Sequence, residues 1–158
     1  MRLRTVLLAL VLFPICLGLH ELVHLGLLFA LGGRGSLIVR PWRFETLPLA
    51  LPSLHVTGAV TLALPARLVF DAGGPGLVGL AALLLALSTR GSLRVALLAN
   101  AASLFFFAFI ETADVLLERA GSDLGILTWE EFNYGIPVLL ILFAATSQAR
   151  LPRREIAG

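Results

Sequence analysis

A chain of 158 residues that is 58% hydrophobic and 14% charged, with a mean hydropathy of +0.95, is too apolar for a water-soluble domain; it belongs in a bilayer, where this length supplies about four crossings of roughly 20 residues each. The formal charge is +2, and all twelve basic residues are arginines, most of them at the ends of apolar runs, a placement that signals membrane topology and argues against a nucleic-acid partner. A single cysteine, Cys16, excludes a disulfide framework and a cysteine-based metal site.

The N-terminal stretch MRLRTVLLALVLFPICLG has the basic start and apolar middle of a secretory signal. The apolar run continues through Leu31 with no small-x-small cleavage site, so a first membrane helix is predicted over residues 5–31. It should stop at Gly32-Gly33-Arg34-Gly35, which helices do not enter easily. Residues 32–67 hold Pro41, Pro48, Pro52 and Pro65 beside short pieces such as SLIVR and HVTGAVTL. They read as extended, a hairpin packed on the membrane face. A second span is predicted over 68–88, passing the breaker DAGGPG at 71–76. A third is predicted over 93–117, carrying Asn100, Glu111 and Asp114. After a polar segment with Glu118, Arg119, Asp123, Glu130 and Glu131, a fourth span over 135–148 is short unless its helix starts earlier and takes in WEEFNY. The predicted fold is a single all-α integral membrane domain, residues 1–158, with about four transmembrane helices and a short extended or β element after the first. Four crossings put both termini and the Arg90/Arg94 turn on one side, which the positive-inside rule makes cytoplasmic in a multi-pass protein of the plasma (inner) membrane.

His20-Glu21-Leu22-Val23-His24 carries the chemistry. On a helix, two histidines four residues apart lie one turn apart on the same face and can reach one metal ion, while Glu21 is rotated toward water held at that ion. The competing reading, ordinary polar residues near a helix end, is weakened by the cost of ionisable groups in an apolar span, about 2.5–3.5 kcal/mol each when charged at mid-bilayer. Zinc supplies the partner they need: with two imidazoles and a carboxylate it keeps one position for water and lowers that water's pKa to about 7. Glu21 would take the water's proton and pass it to a leaving amine.

With HELVH at 20–24 in an apolar helix, RLVFDAGGPGLVGLAALLLAL containing Gly74-Pro75, and SLFFFAFIETADVLLERAGSDLGIL followed by Gly-Ile-Pro at 135–137, the chain resembles the site-two protease family of intramembrane zinc metalloproteases. The resemblance implies a zinc endopeptidase that cleaves membrane proteins or peptides, with His20 and His24 as metal ligands, Glu21 as the catalytic base and an aspartate as third ligand. The family's Asn-x-x-Pro followed by Asp-Gly is absent here. Asp123 fits the family pattern best and also reads as a helix N-cap; Asp114 is the alternative, deeper in the third span and on one face with Glu111 and Glu118. Glu111, Glu118 and the loop residue His55 remain further candidates. Gly73-Gly74-Pro75 also reads simply as a helix start with proline in the first turn. Because helical substrates hide their peptide bonds, the extended segment 36–64 is expected to pair with an unwound substrate as an added strand. The rival expectations are an inactive membrane scaffold or chaperone that keeps the protease fold, and a metal-handling protein, for which the second and fourth spans offer few polar residues.

Overall fold

The computed structural model describes residues 2–43, 50–122 and 130–147. Its elements are α1 (Arg2–Ala30), β1 (Arg34–Arg43), β2 (Ala50–Ala59), α2 (Leu64–Ser88), α3 (Gly91–Arg119) and α4 (Glu130–Ser147). Four helices and a hairpin after the first match the predicted order. Among the described residues, α1, α2 and α3 are long and apolar enough to cross a membrane, whereas the apolar part of α4 is the shorter Phe132–Ala144. The fourth helix does start early and includes part of WEEFNY. In α2 the helix begins at Leu64, with Pro65 in its first turn, and runs unbroken through Gly73-Gly74-Pro75. Pro75 is therefore an interior residue, and the helix-start reading of this motif is corrected: Pro65 fills the place where a missing N–H costs nothing.

The two faces of α1 are both apolar, yet they do different work. Leu3, Leu7, Val11, Ile15 and Leu19 form an i, i+4 stripe with side chains from 47% to 71% exposed, suited to contact with lipid. The opposite stripe, Thr5, Ala9, Phe13, Leu17, His20, His24 and Leu28, is buried. It packs on α3, the most buried of the three spans, and on α4 through Ile141. Asn100 of α3 is fully buried and donates to the Ala9 and Ala96 carbonyls at 3.1 and 2.9 Å. The Ser103 hydroxyl lies 3.0 Å from the Ala99 carbonyl and 3.3 Å from that of Pro137 in α4. Thr5 donates to Ser92 at 3.0 Å, so the N-terminus and the α2–α3 turn lie at one end of the bundle. In a bilayer, where apolar contact gives helices no advantage over lipid, such small and polar contacts specify which faces meet.

The hairpin pairs antiparallel in the register Arg34↔Ala59 to Arg43↔Ala50. Two isolated strands are marginal, and α1 supplies the support. Leu28 packs against Gly35 and Gly58, which face each other in the register, and any Cβ at either glycine would overlap it. Farther toward the start of α1, Leu54 lies beside Gly18 and the Val56 N–H donates to Glu21 at 2.9 Å. From 54 to 58 on β2 the contacts climb from 18 to 28 on α1, so the strand runs alongside the helix in the same direction over about 13–15 Å. The hairpin thus reaches below the end of α1 instead of lying flat beyond it. Irregular backbone is tolerated at such depth where it lines a cavity, and residues 52–55 line one.

Candidate metal centre

His20 and His24 come from the buried stripe of α1 and are 5% and 6% exposed. Their rings are 4.5 Å apart between centroids. Glu111 of α3 meets both: Oε1 lies 3.3 Å from His20 Nε2 and Oε2 lies 3.2 Å from His24 Nε2. One ligand atom from each of the three residues falls within 4.8 Å of the others. Two atoms bound about 2.0–2.1 Å from a tetrahedral zinc are about 3.4 Å apart, so the His–Glu separations suit a shared metal. His20 Nε2 is near the carboxylate but makes no hydrogen bond, and Nδ1 of both histidines is also without a partner among the described residues. A buried imidazole left in that state is costly, and a metal ion is one remedy. The His20/His24/Glu111 group can hold a metal.

The surroundings fix the two rings. Phe70 of α2 lies 4.7 Å from the His24 ring and Phe107 of α3 lies 6.1 Å from the His20 ring. Gly74 meets the His24 ring directly, and a Cβ there would overlap Nε2, Cε1 and Cδ2. Gly74-Pro75 therefore acts through the missing side chain, which lets α2 approach α1.

The other acids predicted as candidates have separate fates. Asp114, one turn beyond Glu111, lines the cavities beside the centre and is not in the three-residue group. Glu118 is turned away and pairs with Arg67 of α2 at 2.8 Å; Arg67 also lies 3.6 Å from Asp71. Asp123 lies outside the described residues. Glu111, only a minor candidate from the sequence, is the acid whose depth in the structure matches the histidines. Counted back from the helix ends at Ala30 and Arg119, His24 and His20 lie about 9 and 15 Å down α1, and Glu111 about 12 Å down α3.

Two cavities meet here. One, of about 1100 Å³, runs between α1, β2, α3 and α4 and is walled mainly by apolar groups including Phe13, Leu17, Ile110 and Val138. The other, of about 270 Å³, lies between α1, β2, α2 and α3 and holds Arg67, Asp71 and His24. Glu21, His55, Glu111 and Asp114 line both. His55 thus stands at the junction, on β2. No protein-family model, curated protein or solved structure matches the chain.

Proposed function

We propose that this chain is a zinc-dependent intramembrane endopeptidase that hydrolyses peptide bonds of membrane proteins or membrane-bound peptides. The observation that carries the reading is the convergence of His20, His24 and Glu111 with Glu21 where an apolar cavity meets a polar one. Two imidazoles and one carboxylate are a donor set of catalytic zinc sites, in which the metal keeps a place for water and lowers its pKa to about 7. Glu21 is one residue past His20 and faces both cavities; it takes the proton of the attacking water and returns it to the leaving amine. The apolar cavity receives the substrate segment, and the outer edge of β2 that lines it, short of the Val56 N–H taken by Glu21, binds it as an added strand. Water reaches the centre through the polar cavity.

The inactive-scaffold alternative drew its support from an absent third ligand. With Glu111 beside both histidines, that support is weakened. Arg2, Arg4, Arg90, Arg94, Arg150, Arg153 and Arg154 favour a cytoplasmic location for both termini and for the α2–α3 turn. The test is elemental analysis of the purified protein in bilayers, with cleavage of a membrane-spanning peptide before and after chelation. About one zinc per chain and chelator-sensitive cleavage are expected; bound zinc with no cleavage of any membrane peptide would favour the scaffold.

A further inference from the structure

In an antiparallel ladder the N–H and C=O of one residue point to the same side, and the side alternates along the strand. Because the Val56 N–H points to Glu21, residues 52, 54, 56 and 58 present their main-chain groups away from β1. The prolines provide an independent check. Pro41 and Pro52 face each other in the register, which a ladder tolerates only where neither residue must donate to the other. Pro52 and Val56 have the same parity, so Val56 occupies an outward position. Its N–H lies at the depth of the candidate metal centre and has one acceptor, Oε2 of Glu21, at 2.9 Å.

We infer that the Val56 main-chain N–H is a positioning group: by holding Oε2 of Glu21 it turns Oε1 toward the water that attacks the peptide bond. This rests on the protease reading. A glutamate on a helix has several rotamers, and a base must lie within about 2.6–3.2 Å of the proton it takes; one fixed oxygen removes most of the alternatives. The carboxylate in turn satisfies a strand-edge donor that lipid could not. The contact also joins the strand proposed to carry substrate to the group proposed to act on it, so substrate register and base position are set by the same strand.

The test is Val56→Pro, which removes this N–H and repeats at 56 what the sequence already has at 52, compared with Val56→Ala, which keeps it. Both are made in the full chain in bilayers. Val56→Pro should lower kcat about 10- to 100-fold, the scale of lost outer-sphere support, with KM and zinc content near those of the unmodified protein. Val56→Ala should recover the turnover that Val56→Pro loses. An unchanged kcat, or a change confined to KM, would overturn the inference, the second outcome marking the N–H as a substrate contact. Amide hydrogen exchange at Val56 gives a second arm that needs no activity. It should accelerate in Glu21→Ala while the amides of β1 keep their rates; equal rates in the two proteins would refute the contact. If Val56→Pro loses zinc, its kinetics report a damaged hairpin and the exchange comparison decides. An absence of cleavage by the unmodified protein would reject the protease reading and leave the exchange arm intact.

Discussion

The two cavities differ in chemistry although they share a wall. The larger is walled mainly by apolar side chains of α1, α3 and α4, with polar groups where it meets the centre. The smaller contains an arginine, two histidines and several carboxylates within about 270 Å³. The difference teaches that the candidate metal centre lies at a chemical partition: Glu21, His55, Glu111 and Asp114 face a mainly apolar cavity on one side and a polar one on the other. Hydrolysis inside a bilayer needs such a partition, since the peptide and the water must arrive from environments that do not mix.

Changes in the shared wall should have the largest effects. Glu111→Ala removes one of three donors and should abolish both metal binding and cleavage; Asp114→Asn should cost only about 10- to 100-fold in activity with zinc retained. Zinc analysis of the two variants side by side checks the order, and the reverse order would move the third donor to Asp114. Glu21→Gln should reduce kcat by about 10²–10⁴-fold while leaving zinc in place, measured by cleavage assay and elemental analysis on the same preparation. Loss of zinc there would mean that Glu21 has a structural role.

Changes on one side of the partition should separate the compartments. Gly74→Ala, against the His24 ring, should weaken zinc binding and lower activity about 10²-fold, because small displacements at a reacting centre act on that scale. Alanine is the better helix former by about 1 kcal/mol, so the variant should lose metal without losing helix, a combination that zinc titration beside circular dichroism would detect. The smallest effect is expected on the apolar side. Gly135 lines the large cavity and a Cβ there meets nothing within 4 Å, so the ring of Gly135→Phe starts from open space at the cavity wall. It should raise KM about tenfold, the scale of single apolar pocket groups, with zinc and kcat little changed. A fall in kcat alone would deny that the large cavity holds substrate.

The sequence reveals the order of elements because apolar runs, arginine flanks and prolines act locally. The histidine pair of the candidate centre is legible for the same reason: His20 and His24 are one turn apart, and helix geometry alone brings them together. Glu111 was harder to choose, since Asp123 and Asp114 carried the motif and spacing arguments, and only matching depth across two helices distinguishes Glu111. The face of α1 that turns inward could not be read from hydropathy either. Lipid is as apolar as leucine, so the stripe through Leu3 and Leu7 and the stripe through Ala9 and Phe13 score alike; only the small and polar members of the second separate them. The contact between Glu21 and Val56 depends on how far the hairpin descends beside α1. That is fixed by Leu28 fitting onto paired glycines, a tertiary fit with no local signature.

The turn of α2 beside His24 is Gly73-Gly74-Pro75-Gly76, and as a peptide it would hardly be helical. Each glycine disfavours helix by about 1 kcal/mol relative to alanine and an interior proline by about 3 kcal/mol, and Pro75 also leaves the Asp71 carbonyl without its usual helical donor. Water would offer this segment many other conformations. Hydrocarbon offers very few, because main-chain groups that open there find nothing to bond. The helix that shapes the back of the histidine pair is thus enforced by its solvent, and the bilayer serves the centre as a folding constraint as well as a setting. Where water or detergent replaces lipid around α2, this turn has the least intrinsic stability to hold His24 in place.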